Sequence, residues 1–142
     1  MTPHRNDDAV MRRLLTEPGR WAVVGLSNDE SRPAFGVARF LQEELGVVVV
    51  PVHPRAEDVH GEHGVPDLDA AAEHGTLDVV DCFVGSARVG AVVDDAIRLG
   101  ARAVWLQVGV VDEDAAARAA TAGLDVVMDT CPAIEAPRLG LL

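Results

Sequence analysis

The chain has no lysine: all 12 of its basic residues are arginine, set against 23 aspartates and glutamates. A Schiff-base lysine and the lysine of a phosphate-binding P-loop are therefore excluded. Any anionic ligand must be met by a few arginines or by backbone. The formal net charge of −11 argues against general nucleic-acid binding and docking on anionic membrane, both of which need a positive surface. Cysteine is scarce: Cys82 and Cys131 are too few for a disulfide scaffold. No apolar run approaches the ~20 residues needed to span a bilayer. The opening MTPHRNDDAVMRRLL shows neither a long apolar core nor a small-residue cleavage site, so a cytoplasmic protein is expected. What is there is 142 residues, 49% hydrophobic and 25% charged. That suits one globular domain over 1–142, burying roughly 70% of its extended surface.

Short apolar runs alternate with helical patterns. A lead-in helix is expected over Asp7–Glu17, ended by Pro18 and Gly19. Strands follow at Trp21–Leu26, Val47–Val52, Asp78–Val84, Ala101–Leu106 and Leu124–Met128, with a very short edge strand around Val65. Between them lie a helix over 34–45, with Val37, Phe40, Leu41 and Leu45 at helical spacing, and a short one over Leu68–His74 capped by Asp67. A third carries Val89, Val92, Val93, Ala96 and Ile97 on one face, with Ser86 as its cap. A fourth is alanine-rich, capped by Asp112 and ended by Gly123, and Pro132 opens a short closing helix. Most of the strands are apolar throughout, the mark of a parallel sheet covered on both faces. The fold class is α/β: a Rossmann-like, doubly wound, three-layer sheet with ligands beyond the carboxyl ends of its strands.

The most informative stretch is RWAVVGLSNDESRPAFG at 20–36. A buried strand breaks at Gly25 and opens into a helix, so free N–H groups and the positive end of the helix dipole face the turn. Ser27 adds a hydroxyl, Arg32 a fixed charge and Gly36 a place for close backbone approach, or simply for close helix–strand packing. For Ser27 and Arg32 the plain alternative is a solvated loop in which Arg32 pairs with Asp29 or Glu30. A dinucleotide is the obvious ligand for such a chain, yet G-x-G-x-x-G placed on Gly25 meets Ser27 and Glu30 instead of glycines. The second strand ends in Pro51, Val52, His53 and Pro54, where a ribose-binding carboxylate belongs. An NAD(P)-dependent oxidoreductase is thus the weaker alternative.

GLSNDESRPAFGV at 25–37, PVHP at 51–54, DVVDCFV at 78–84, AVWLQVGV at 103–110 and VVMDTCPAIE at 126–135 resemble the small stand-alone coenzyme A-binding proteins. These are similar to the CoA-binding domain of succinyl-CoA ligase and of ADP-forming acyl-CoA synthetases. The resemblance runs in order through nearly the whole chain. It implies that Gly25, Leu26, Ser27, Arg32 and Gly36 hold phosphates of the ADP part. Val52, His53 and Pro54 would flank the adenosine, while Phe83, Val84, Gln107 and Gly109 line the pantetheine path. Asparagine is usual in the family where His53 stands, and arginine is common where Val84 and Thr130 stand. The loss of two cations implies weaker CoA binding than in a typical relative. The related synthetases pass a phosphoryl group through a histidine on a second domain and use an ATP-grasp module. Nothing in this chain resembles either, so the expected function is non-catalytic binding of CoA or an acyl-CoA. The other alternative is an adaptor or ligase-like subunit that needs a catalytic partner, and homo-oligomerisation stays open.

Other residues invite sharper readings. His60-Gly61-Glu62-His63 with Asp58 suggests a metal, but a glycine-flanked loop without a third ordered ligand is poor for zinc, and no metal is expected. Asp81 lies in a buried-looking strand and must find a partner. Asp129 is expected to cap the turn through Thr130 and Pro132. Cys131, beside Pro132 at a helix start, is placed for a lowered thiol pKa and for a mixed disulfide with CoA; the plain alternative is a buried packing residue. Cys82 is expected in the core, and Trp105 in the core or the pocket wall.

Overall fold

The computed structural model describes residues 2–142, and Met1 lies outside the described residues. Asp7 turns the chain into the first helix, α1 (Asp8–Thr16), by accepting a hydrogen bond from the Ala9 amide at 2.8 Å. Then follow β1 (Arg20–Val24), α2 (Pro33–Glu43), β2 (Val48–Val52), α3 (Leu68–Ala72), β3 (Val79–Cys82) and α4 (Ser86–Arg98). The chain ends with β4 (Ala103–Leu106), α5 (Glu113–Thr121), β5 (Asp125–Val127) and α6 (Pro132–Arg138). Asp67 and Asp112 cap α3 and α5 through their carboxylates, as their positions predict. Ser86 does not cap α4. Gly85 is the N-cap, and the Ser86 hydroxyl is the first helical side chain, committed elsewhere.

The five strands form one parallel sheet in the order β2-β1-β3-β4-β5, the Rossmann-like α/β arrangement that the alternating pattern predicts. Apart from Asp81 in β3, the strand interiors are apolar because both faces are covered. On one face Leu68 and Ala71 of α3, Val89, Val93 and Ala96 of α4, and Ala115 and Ala119 of α5 bury Val80, Cys82, Val104 and Leu106. On the other, α1, α2 and α6 close over Trp21, Val23, Val79, Trp105 and Val127. Trp21 and Trp105 anchor this second layer with ring centroids 5.7 Å apart, so Trp105 is core and not pocket wall. The buried face of α5 is all alanine, Ala115, Ala116 and Ala119, while that of α4 is mostly valine.

Both sheet edges are blunted. At β5 the Asn6 side chain stands in for a strand: its Nδ2 donates to the Met128 carbonyl and its Oδ1 accepts from the Met128 amide, each at 2.9 Å. At β2, Pro51 removes a donor, and Val65 supplies the expected short edge as a single parallel bridge to Val52.

One glycine fixes how the ends of β1 and β3 meet. Gly25 has φ of +99°, and a Cβ there would lie 2.8 Å from the Phe83 carbonyl oxygen. The sequence marks it as a strand stop, and the structure adds that no side chain fits. Replacing Gly25 by alanine combines a left-handed backbone penalty with a backbone clash. Urea unfolding of Gly25→Ala is expected to show a loss of at least ~2 kcal/mol; an unchanged midpoint would show that the two strand ends do not approach this closely.

Candidate functional site

From β1 the chain steps outward to β2 and then back across β1 to β3. The two crossovers leave in opposite directions, so the loops after β1 and β3 part beyond the paired strand ends and leave a crevice there, the usual ligand position in doubly wound sheets. Helix α2 begins on one side of it and α4 on the other, since they cover opposite faces of the sheet.

The loop from Gly25 to Arg32 is more ordered than a bare glycine turn. Gly25 donates to the Val52 carbonyl at 2.8 Å, the Asp29 amide to Ser27 Oγ at 3.3 Å, and the Ser31 amide to Asp29 Oδ1 at 3.0 Å. The Asn28 amide donates to Glu57 Oε1 and its Nδ2 to the Asp58 carbonyl, both at 2.9 Å, stitching this loop to the one after β2. The Asn28 bond holds the Glu57 carboxyl below its usual range, and the Ser31 bonds do the same for Asp29. Leu26, Ser27 and Ala34 are left with amide hydrogens that no group of the described chain accepts. The Leu26 side chain is buried, so only its backbone faces the loop. Arg32, the N-cap of α2, has a side chain 74% exposed and reaches Asp29 only at 3.6 Å. That is the surface pair of the plain alternative, and at this exposure it is weak enough to be exchanged.

Gly36 departs from one expectation. It lies in the first turn of α2 with ordinary helical φ, and a Cβ there would meet nothing within 4 Å. It therefore does not serve close helix–strand packing. A glycine inside a helix costs ~1 kcal/mol relative to alanine, and neither backbone nor packing within the chain asks for it. Gly85, at the N-cap of α4, is similarly open.

On the β2 side, Val52 is buried and contributes backbone, while Pro54 is exposed and His53 is half-buried. His53 Nδ1 accepts from the Arg55 amide at 3.1 Å, so the neutral ring carries its proton on Nε2 and offers it outward. His60 and His63 are used structurally. His60 donates from Nε2 to the Phe35 carbonyl at 2.7 Å and packs edge-on against the Phe35 ring, and His63 pairs with Asp58 at 3.1 Å. Among the described residues no three His, Cys, Asp or Glu side chains converge as a metal site.

Several residues expected on the far side of the crevice have partners within the chain. Phe83 packs toward the α2 face and Val84 toward the α4 face, each half-buried at the end of β3. Gln107 is buried and turned inward: its Nε2 donates to Asp81 Oδ1, supplying the partner that Asp81 requires. One hydrogen of its side-chain amide is thus committed below the surface. The Gly109 amide is taken by Asp129 Oδ1 at 2.7 Å and its carbonyl accepts from Ser86 Oγ at 3.2 Å; Ser86 Oγ also accepts from the Val111 amide at 2.9 Å. Asp129, at φ +61°, therefore reaches across to the β4 loop instead of capping the turn through Thr130 and Pro132. Serine and aspartate before helix-like or turn-like residues signal local caps, which is why this three-loop interlock is invisible in the sequence.

Cys131 is the N-cap of α6 but is not an activated thiol. It is 8% exposed, and burial pushes its pKa up, outweighing the amides of Ala133 and Ile134 that favour the thiolate. The structure thus takes the packing reading over the lowered-pKa reading. Cys82 is fully buried in the core, as expected.

The chain belongs to the CoA binding domain family, whose pattern matches residues 19–137. The uncharacterized protein YneT of Bacillus subtilis (strain 168) is 30% identical over 123 residues, spanning 87% of this chain and 89% of the relative. A hypothetical protein from Pyrococcus horikoshii OT3 is 34% identical with a TM-score of 0.85, covering 98% of this chain and 99% of that one. Larger enzymes carry a similar unit. The dinucleotide forming acetyl-coenzyme A synthetase 1 of Ca. Korarchaeum cryptofilum aligns with a TM-score of 0.66 at 25% identity, over 82% of this chain and 26% of the synthetase. Among the described residues no helix is long and apolar enough to cross a membrane.

Beneath the crevice, Asp81 Oδ2 has no hydrogen-bond partner in the described chain, and burial pushes the carboxyl up to about 7 against the pull of Gln107. The folded chain holds this proton more tightly than the unfolded chain, whose carboxyl titrates near 3.8. Its contribution to stability is whole below that value and is lost as pH rises through about 7. Asp81→Asn removes the titration while keeping the acceptor for Gln107. The stability of Asp81→Asn relative to wild type is expected to rise by a few kcal/mol between pH 4 and pH 8, each tenfold difference in proton affinity being worth ~1.4 kcal/mol. Urea titrations at both ends of the window check this, and a difference independent of pH would show that Asp81 does not hold a proton at neutrality.

Proposed function

We propose that this protein binds coenzyme A or an acyl-CoA, without catalysing a reaction on it, along the crevice at the carboxyl ends of β1 and β3. The observation that carries the reading is Gly36. A helical glycine with open space at its Cβ position makes sense when something outside the chain must lie against the backbone of the first turn of α2. The unbonded amides of Ser27 and Ala34 and the loosely held Arg32 surround that turn. Together they suit a diphosphate: backbone donors, a helix N-terminus and one guanidinium free to fork onto phosphate oxygens. His53, offering Nε2–H beside Pro54, suits the polar edge of an adenosine on the β2 side. Family membership supplies the ligand class.

The non-catalytic part of the reading rests on the same geometry. The candidate nucleophile Cys131 is buried with a raised pKa, and Asp81 and Gln107 are engaged with each other below the surface. A nicotinamide dinucleotide would want a carboxylate at the end of β2, and His53 and Pro54 stand there.

The test is a binding panel with CoA, acetyl-CoA, NAD and NADP, read by calorimetry and by the shift in melting temperature. CoA and acetyl-CoA are expected to bind and stabilise, and the dinucleotides not to. Stabilisation by NAD or NADP alone would replace the reading with the dinucleotide one, and no shift with any of the four would leave the crevice without this role. Arg32→Ala is expected to weaken CoA about tenfold, the value of one charge-assisted phosphate contact. Gly36→Ala separates binding from folding: the unliganded protein should be as stable or up to ~1 kcal/mol more stable, while CoA affinity falls.

A further inference from the structure

We infer that Arg88, in the first turn of α4, is a second cationic contact for the ligand's diphosphate, facing Arg32 across the crevice; this rests on the CoA reading above. The starting observation is electrostatic. Most arginines of the helix layers have a partner: Arg13 pairs with Asp125, Arg98 with Asp69 and Asp95, Arg118 with Asp94, and Arg138 with Asp8 and Glu135, while Arg39 has no ion pair but lies over the Phe35 ring. Arg88 is exposed and has neither an ion pair nor a side-chain hydrogen bond among the described residues. It also sits where a cation is unfavourable, within the first turn of a thirteen-residue helix whose N-terminal end is the positive end of the dipole. An unpaired arginine there is at odds with the chain's own electrostatics and consistent with an external anion.

Its position fits the same crevice. The core face of α4 is marked by Val89, Val93 and Ala96, and its α5 flank by Asp94, which pairs with Arg118. Arg88 lies on the opposite flank, aligned with Asp95 seven residues on, whose partner Arg98 reaches Asp69 of α3. That flank looks toward the β1 and β2 side of the sheet. Helical side chains lean toward the N-terminus of their helix, so a long guanidinium at Arg88 is carried toward the strand ends. Next to it, the open Cβ position of Gly85 leaves the α4 side of the crevice unobstructed. Arg32 enters from the α2 side, on the other face of the sheet, so the two guanidiniums bracket the switch point. The phosphate between them is the diphosphate. The adenosine end belongs to the β2 loop, on the far side of β1, where Arg55 is held beside Glu57 at 3.3 Å.

Calorimetric titration of wild type and Arg88→Ala with CoA and with dephospho-CoA tests this at two salt concentrations. Dephospho-CoA keeps the diphosphate and lacks the 3′-phosphate. Arg88→Ala is expected to weaken both compounds by a similar factor, about tenfold, and to flatten the salt dependence of binding. The melting temperature of the unliganded protein should be unchanged or slightly raised, which separates the effect from misfolding. Arg88→Lys, keeping the charge, should recover part of the loss. Equal affinities for wild type and Arg88→Ala would overturn the inference while leaving the CoA reading intact. A loss confined to CoA would overturn it too, by moving Arg88 to the 3′-phosphate. Wild type that binds neither compound would take down the CoA reading itself.

Discussion

The contact between Gly25 and the Phe83 carbonyl governs the geometry around which the rest of the site is arranged. β1 sits at the centre of the switch in strand order, hydrogen-bonded to β2 on one side and β3 on the other. Past Val24 the strand must end without pushing β3 away, and a left-handed glycine with no Cβ is the residue that manages both. The Phe83 amide still reaches the Val24 carbonyl at 2.9 Å, and the Gly25 amide the Val52 carbonyl at 2.8 Å, so the sheet stays closed up to its rim. Only then do the crossovers part, and the crevice opens directly above a rigid floor.

The rim itself is held by side chains that bridge loops. Asn28 and Glu57 join the loops after β1 and β2, and Ser86 and Asp129 join those after β3, β4 and β5 through Gly109. These are few bonds, each worth ~1 kcal/mol net, and most are exposed. Their effect is to fix which backbone groups are spent and which are free. The amides of Asn28 and Gly109 are consumed, whereas those of Ser27 and Ala34, near Arg32 in the chain, meet no acceptor among the described residues. The loop that looks most like a generic glycine turn is thus a shaped surface with a small set of unspent donors.

The fold is legible in the chain because its signals are local and repeated. Apolar runs broken by glycine, and Asp67 and Asp112 ahead of alanine-rich turns, give the element order almost unaided. The site is legible only where backbone chemistry decides it, as at Gly25 and the start of α2. It is hidden where a polar side chain serves a distant loop. Ser86 has the signature of a cap, yet its hydroxyl bridges to Gly109 and Val111. Gln107 ends a strand at the ligand side, but the buried Asp81 draws its amide inward. In both cases the competing partner is more than twenty residues away, which periodicity and capping rules cannot reach. Cys131 stands at a helix start, and burial by the folded chain overrides the dipole. Arg88 escapes notice for a related reason: a lone arginine on a helix surface looks ordinary until its neighbours are known.

A chain of net charge −11 looks ill suited to a ligand as anionic as CoA, and the distribution of its charges resolves the difficulty. Exposed charges separated by more than ~8–10 Å are largely screened at physiological ionic strength. What a phosphate feels is therefore the rim and not the sum. Part of the acidity is paired away from the rim, by Arg13 at Asp125, Arg102 near Glu17 and Asp78, Arg98 at Asp69 and Arg118 at Asp94. Arg32 is held only at 3.6 Å by Asp29, a carboxylate that its bonds to Ser31 keep ionised, and Arg88 has no ion pair among the described residues. Arginine also suits the task better than lysine would, because its planar fork matches two phosphate oxygens and it is more weakly hydrated than an ammonium. On the proposed reading, binding in such a site would depend on geometry more than on bulk attraction: the net field would slow the approach of an anion, and two positioned guanidiniums with a few backbone donors would retain it once it arrived.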